Sequence, residues 1–166
     1  MKFQLKTLKK LSGDEATIYS VLILGDKLTL FDTFMADNLV NHKKEVMNIF
    51  YRLIAIGNKT GAKENFFRLN EGVPGDGVCA FYDIPKSKLR LYCVRYGNDF
   101  LILGCGGPKS KIIKAWQEDP KLNEEAQLVI KIAKIVNDKI KDKDSNFKWS
   151  PDHKKFQGDF NFTDDE

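Results

Sequence analysis

The chain has 166 residues and a net charge of +4, from 27 Lys and Arg against 23 Asp and Glu. Hydrophobic residues make up 42% and charged residues 30%, with 12 Phe, a balance that fits one folded domain with a substantial core and excludes a disordered chain. No stretch approaches the roughly eighteen apolar residues of a membrane-spanning helix, and Met1-Lys2-Phe3-Gln4-Leu5-Lys6 has no leader-like apolar run, so the expectation is a cytoplasmic protein with no membrane partner.

Alternation at Phe3 and Leu5, and the β-branched run Thr17 to Leu24, predict two strands separated by a turn at Ser12-Gly13-Asp14. Lys27 to Phe34 reads as a third. From Asp37 the period changes: Val46, Ile49, Leu53 and Ile56 share one helical face, with Asp37 or Asn41 as N-cap and Gly57 or Gly61 as the stop. Short strands are expected at Phe66 to Leu69, Val78 to Tyr82, Lys88 to Tyr96 and Phe100 to Leu103, the last two joined by a hairpin at Gly97-Asn98-Asp99. Asp119-Pro120 places an N-cap before a proline at the first helical position. The helix it opens has Leu122, Ala126, Val129, Ala133, Val136 and Ile140 on one face. This gives an α+β domain over residues 1–146, with an N-terminal strand extension (1–34) and a core (37–140). Residues 147–166 form a tail in which Phe156 to Phe162 is a candidate edge strand.

The strongest charge feature is Lys86 to Lys114, where seven Lys or Arg face a single acid, Asp99. Period two on the strand Lys88 to Tyr96 puts Leu89, Leu91 and Cys93 on one face, to be packed under helices. Arg90, Tyr92, Val94 and Tyr96 fall on the other, which is expected to be presented to a ligand. Cations hold phosphates and aromatics stack on bases, so RNA is the first partner to consider, with a solvated basic sheet face as the plainer alternative. Cleavage through a ribose 2′-hydroxyl needs a base, an acid and cations on the phosphorane, roles that Arg, Lys and Tyr can cover. Arg95, on the Cys93 face, reads as a structural ion-pair partner.

Other chemistries find less support. Gly72 to Gly77 and Gly104 to Ser110 lack the P-loop pattern. The second stretch reads as a tight turn or as an anion-binding loop before a short helix beginning near Ser110. His42 and His153 are far apart and lack ligand-spaced companions, so neither a metal nor another cofactor is expected. Cys79, Cys93 and Cys105 form no C-x-x-C pair and read as reduced structural thiols. Trp116 and Trp149 read as packing anchors.

The order from Asn38 to Lys114 resembles the RelE/ParE toxin superfamily, particularly its HigB-like branch. The residues that carry the resemblance are Ile54-Ala55-Ile56-Gly57, Phe66-Phe67-Arg68-Leu69, Gly77 to Tyr82, Leu89-Arg90-Leu91-Tyr92-Cys93-Val94, and Asp99 to Gly104 followed by Gly107-Pro108-Lys109. In that family a helix pair packs on an antiparallel sheet. The resemblance thus implies a RelE-like fold, a twisted antiparallel sheet with helices mainly on one face. It further implies a ribosome-dependent mRNA endoribonuclease of a type II toxin–antitoxin system, partnered by an antitoxin of helix-turn-helix type, with self-association left open. Carried over by position, Arg90, Lys109 and Tyr92 are the catalytic candidates. Arg68, Tyr96, Lys111 and Lys88 are the RNA-binding candidates. The chain departs from the family where Gly106-Gly107-Pro108-Lys109-Ser110 replaces a Phe-x-Lys-Lys loop. The alternative is a non-catalytic RelE-fold protein that inhibits a protein target, as ParE-type relatives do, or an RNA-binding regulator.

Overall fold

A computed structural model describes residues 1–81, 88–109 and 119–164. Among the described residues, nine strands and three α-helices follow one another as β1 (Lys2–Thr7), β2 (Thr17–Ile23), α1 (Leu30–Leu39), α2 (Lys43–Ala55), β3 (Phe67–Arg68), β4 (Val78–Phe81), β5 (Leu89–Tyr96), β6 (Phe100–Pro108), α3 (Pro120–Lys141), β7 (Lys148–Trp149), β8 (Phe156–Gln157) and β9 (Asn161–Thr163). Seven strands form one sheet in the order β3-β4-β5-β6-β2-β1-β9, antiparallel except where β2 runs parallel to β6. The central antiparallel run β4-β5-β6 is the one read from the sequence. Both N-terminal strands join the same sheet.

The expected strand over Lys27 to Phe34 is instead the start of a helix. Thr29 caps it by accepting the Asp32 amide, and Phe31, Phe34 and Asn38 recur at helical spacing on its buried side. A β-rich composition was outweighed here by a local cap. The α2 stripe Val46, Ile49, Leu53 and Ile56 is buried as its spacing requires, although His42 occupies the N-cap position and no side chain caps it. A π-turn, Ile56–Thr60, follows, and Gly61 at φ 74° closes it with its amide on the Ile56 carbonyl. Asp119 caps α3 as the sequence indicates, accepting from the amides of Lys121 and Leu122.

The helices do not gather on one face. Helices α1 and α2 cover the side of the sheet carrying Ile18, Phe81, Leu91, Cys93 and Leu103, while α3 covers the side carrying Tyr19, Ala80, Tyr92, Val94 and Ile102. Ser20 ties the first layer together: its hydroxyl donates to the Leu103 carbonyl at 2.8 Å and accepts the Phe31 amide at 3.1 Å.

The glycine stretch expected as a turn is strand. Gly104 to Pro108 continues β6 past a bulge, where Leu91 pairs with Gly106 but Cys93 pairs with Leu103. Two of its glycines are required by close approach. A Cβ at Gly104 would stand 2.9 Å from the Tyr92 carbonyl oxygen, and one at Gly106 would overlap the Arg90 carbonyl. A strand can come this near only without side chains.

The C-terminal residues belong to the fold. β9 pairs with β1, as the edge-strand reading expects, and Phe3 stacks on Phe162 at 5.0 Å. Phe156 lies within ring contact of Tyr19, Tyr96, Phe100, Phe147 and Trp149. Trp149 is the packing anchor expected of it, while Trp116 lies outside the described residues. Truncating so central a ring, Phe156→Ala, should cost about 3–5 kcal/mol of stability in urea unfolding. A loss under about 0.5 kcal/mol, the usual size for a surface change, would show the segment to be a loosely held tail.

Candidate functional site

Strand β5 presents alternate residues to α3, so the face expected to be open is largely covered. Tyr92 is 1% exposed and packs in the α3-side core. That corrects the reading of Tyr92 as a substrate-placing residue on a free surface: its ring is core, and only the charges around its phenol belong to a site. Tyr96 is corrected likewise. It stands six residues along the same strand, about 20 Å from Arg90 at strand rise, and its hydroxyl donates to Asn137 Oδ1 at 2.7 Å. The Asn137 amide in turn donates to the Asp76 carbonyl, so Tyr96 fastens α3 to the 71–77 loop. Burial pushes the Tyr96 phenol well above the ordinary range, with the Asp76 charge adding to it.

Around Tyr92 the fold assembles charges from distant parts of the chain. Burial, foremost, raises the Tyr92 phenol; Glu71 and Glu125 raise it further, and Arg90 and Arg68 oppose them. Arg68 Nε meets Glu71 Oε1 at 2.9 Å, with the Glu71 side chain only 7% exposed. The intervening Asn70 adopts φ 61°, a left-handed conformation that asparagine tolerates, and so folds Glu71 back beneath Arg68. Half-buried Arg90 lies directly across from Gly107 in the β5–β6 register, so both residues address the same face.

Helix α3 supplies the remaining members. Glu125 is one turn beyond Lys121, with Oε1 4.0 Å from the ammonium. Its Oε2 is buried and has no hydrogen-bond partner among the described residues. A Cβ built at Gly107 would lie 3.5 Å from Lys121 Nζ and 3.7 and 3.8 Å from the two Glu125 oxygens. A side chain at Gly107 would therefore come into van der Waals contact with the Lys121–Glu125 pair. Burial lifts the Glu125 carboxyl from 4.5 to about 7; Lys121 pulls it down, and Asp119, Asp37 and Glu124 push it further up. The neighbouring Cys105 thiol donates to the Glu125 carbonyl at 3.5 Å. Burial and the Glu125 charge raise that thiol to about 12, which makes it a poor nucleophile.

The other sequence candidates sit at the open end of the hairpin. Lys88 is exposed, and its amide donates to the Glu45 carboxylate at 3.1 and 3.3 Å, joining β5 to the first turn of α2. Its carbonyl accepts the Lys109 amide at 2.5 Å. Lys111, and the short helix expected from Ser110, lie outside the described residues. Arg95 is structural as expected, with Nε donating to the Ala62 carbonyl at 2.6 Å and Nη2 to Asn98 Oδ1 at 2.7 Å.

The structure thus brings Arg68, Arg90 and the Tyr92 phenol into one charged cluster, puts Lys88 and Lys109 at its hairpin end, and leaves Tyr96 elsewhere. It adds Glu71, Lys121 and Glu125, which sequence reasoning passed over. Glu125 did leave a signal: it stands seven residues before buried Ile132, so a helical reading places a carboxylate on the edge of the apolar stripe. Glu71 left none. Among the described residues no three His, Cys, Asp or Glu side chains converge as a metal site, and no helix is long and apolar enough to cross a membrane. A groove of about 1400 Å³ lies elsewhere along α3, where Lys131, Lys134 and Lys139 are paired with Asp164, Asp138 and Asp159.

The class these observations define is an α+β protein with a partly buried cluster of arginines, a lysine and carboxylates between the β3–β6 end of its sheet and the first turns of α3. No protein-family model, curated protein or solved structure matches the chain.

Because the Glu125 carboxyl is raised in the folded protein, its protonated form favours folding. That contribution is complete below about pH 4.5 and is lost as pH rises through about 7. Relative to Glu125→Gln, the native chain should therefore lose about 1–2 kcal/mol between pH 4.5 and pH 8, after discounting for solvent screening. Urea unfolding of both proteins across that range measures it. A pH-independent difference would show that the carboxyl is not shifted.

Proposed function

We propose that this chain is the toxin-like component of a type II toxin–antitoxin pair and acts as an endoribonuclease on mRNA. The ribosome is its platform and a helix-turn-helix antitoxin its partner. The observation that carries the reading is the gathering of Arg90 and Arg68 around the Tyr92 phenol, with Arg90 directly across from Gly107 in the β5–β6 register. Arg68 is paired with Glu71, and Lys121 stands among Glu125, Asp119 and Glu124, so the phosphodiester falls to half-buried Arg90.

The fold supports the reading in outline. A helix pair, α1–α2, precedes an antiparallel run of strands and packs against one side of it, which is the arrangement that resemblance to the RelE/ParE superfamily implies. In this proposal Arg90 and Lys109 stabilise the phosphorane, because a guanidinium held in partly dry surroundings gains more from developing charge than one in water. Lys88 and Arg68 hold the flanking phosphates. The Tyr92 phenol, kept neutral by burial, forms the floor beneath them.

If Arg90 meets the transition state, Arg90→Ala should lower mRNA cleavage by about 10²–10³-fold. Induced expression with mapping of transcript 5′ ends measures this, native chain against variant. Cuts and growth arrest undiminished in Arg90→Ala would reject the assignment. Growth arrest by the native chain with no transcript cuts would instead favour the ParE-type alternative, inhibition of a protein target.

A further inference from the structure

We infer that Glu71 is a positioning residue for RNA: it holds the Arg68 guanidinium so that its free edge meets the phosphate next to the one on Arg90, an assignment that rests on the ribonuclease reading above. Neither the sequence pattern nor the family resemblance singled out Glu71. Its carboxylate takes Arg68 Nε at 2.9 Å, and the Nη groups of that guanidinium make no hydrogen bond among the described residues. The Glu71 side chain is 7% exposed and that of Arg68 is 41% exposed, so the pair is anchored at its acidic end and open at its basic end. A phosphate reaching the open end finds two parallel N–H donors.

The loop that carries Glu71 is fastened at several points. Left-handed Asn70 turns the chain, and the Glu71 amide donates to the Val78 carbonyl at 3.2 Å. Asp76 closes the loop from inside, its carboxylate accepting the Val73 amide at 2.8 Å and the Val78 amide at 2.9 Å. Gly72 admits that carboxylate, since a Cβ there would collide with Asp76 Oδ2 and stand 2.8 Å from Val78 Cβ. From α3, the Asn137 amide donates to the Asp76 carbonyl at 3.1 Å. The glycine-bearing stretch Gly72 to Gly77, which lacks the P-loop pattern, thus serves as a rigid mount for one carboxylate.

The sheet sets the spacing of the two arginines. Arg68 pairs with Ala80 and Ala80 with Tyr92, so one line across β3, β4 and β5 carries all three, and Arg90 lies one pleat from Tyr92 on the same face. Two strand spacings and one pleat put the Arg68 and Arg90 Cα atoms about 12 Å apart. That separation suits neighbouring phosphates of an extended strand, with only the small Ala80 between them. The Arg90 guanidinium is half-buried and also makes no hydrogen bond or ion pair among the described residues. Each arginine therefore has donors for a phosphate of its own.

The sign of the effect separates positioning from charge. By Coulomb's law alone, removing an acid beside RNA tightens binding; removing the acid that aims Arg68 weakens it. The test measures binding of the full chain to a 2′-O-methyl RNA that cannot be cut, over a range of salt, together with cleavage of ribosome-bound mRNA. Glu71→Gln should weaken binding about threefold to tenfold and reduce the slope of log affinity against log salt by about 0.7, the share of one phosphate contact on a single strand. It should raise KM with kcat within about twofold of native. In an Arg68→Ala background the same substitution should weaken binding no further. Glu71→Asp keeps the charge but shortens the reach, should weaken binding in the same direction, and decides the matter if the Gln variant does not fold. Unchanged or tighter binding with unchanged KM in either folded variant, or a further loss in the Arg68→Ala background, overturns the Glu71 assignment; with Arg90→Ala inactive, the ribonuclease reading stands. A native chain that neither binds the 2′-O-methyl RNA nor cuts ribosome-bound mRNA overturns both.

Discussion

The glycines of β6 are the constraint on which the rest of this structure turns. Gly104 lies between Val129 of α3 and the Tyr92 carbonyl, and Gly106 lies against the Arg90 carbonyl. Side chains at those points would force β6 away from β5 or lift α3 off the sheet. Because none are present, the helix settles close to the sheet and buries Leu122, Ala126 and Val129. The bulge beside Tyr92 adjusts the register so that Gly107, and no bulkier residue, faces Arg90. Close packing and the small residue opposite Arg90 thus come from the same short stretch.

Covering both sides of the sheet explains why charged residues end up in semi-dry surroundings. With α1 and α2 on one side and α3 on the other, nothing on β5 between Leu89 and Val94 faces open solvent except part of Arg90. Ionised groups in such a place are unfavourable unless they are paired. Arg68 and Glu71 satisfy that condition with a 2.9 Å contact. Glu125 has the Lys121 ammonium at 4.0 Å, which does not offset its burial, and its proton affinity rises. The opposite end of the same face is closed by aromatics from the C-terminal residues, with Trp149 and Phe156 meeting Tyr96 edge-on and packing on Phe100, and Phe147 behind Phe156. The charged cluster lies at the end near the start of α3.

Local signals explain which parts of the site were legible. Arg90 and Arg68 stood out as cations on strands, and alternation placed Arg90 and Tyr92 on one face. Alternation says nothing of what covers that face. It could not distinguish a tyrosine offered to RNA from one buried under a helix thirty residues further on. Glu71 owes its position to a left-handed Asn70 in a loop, a conformation without a periodic signature. Lys121 and Glu125 depend on where α3 docks.

The sequence alone determined the strand and helix content of most of the chain, because period, caps and turns are local properties. The α2 stripe, the Asp119-Pro120 start, the β4-β5-β6 run and the C-terminal edge strand were all readable in this way. It misplaced Lys27 to Phe34, where the Thr29 cap outweighed strand-like composition, and it read Gly104 to Ser110 as a tight turn or an anion-binding loop, where Gly104 to Pro108 is strand. Only the tertiary structure decided the parallel pairing of β2 with β6, the division of helices between the two faces, and the meeting of Arg68, Glu71, Arg90, Lys121 and Glu125. Those features arise from segments distant in sequence burying apolar area against each other, and no local window contains both sides of such a contact.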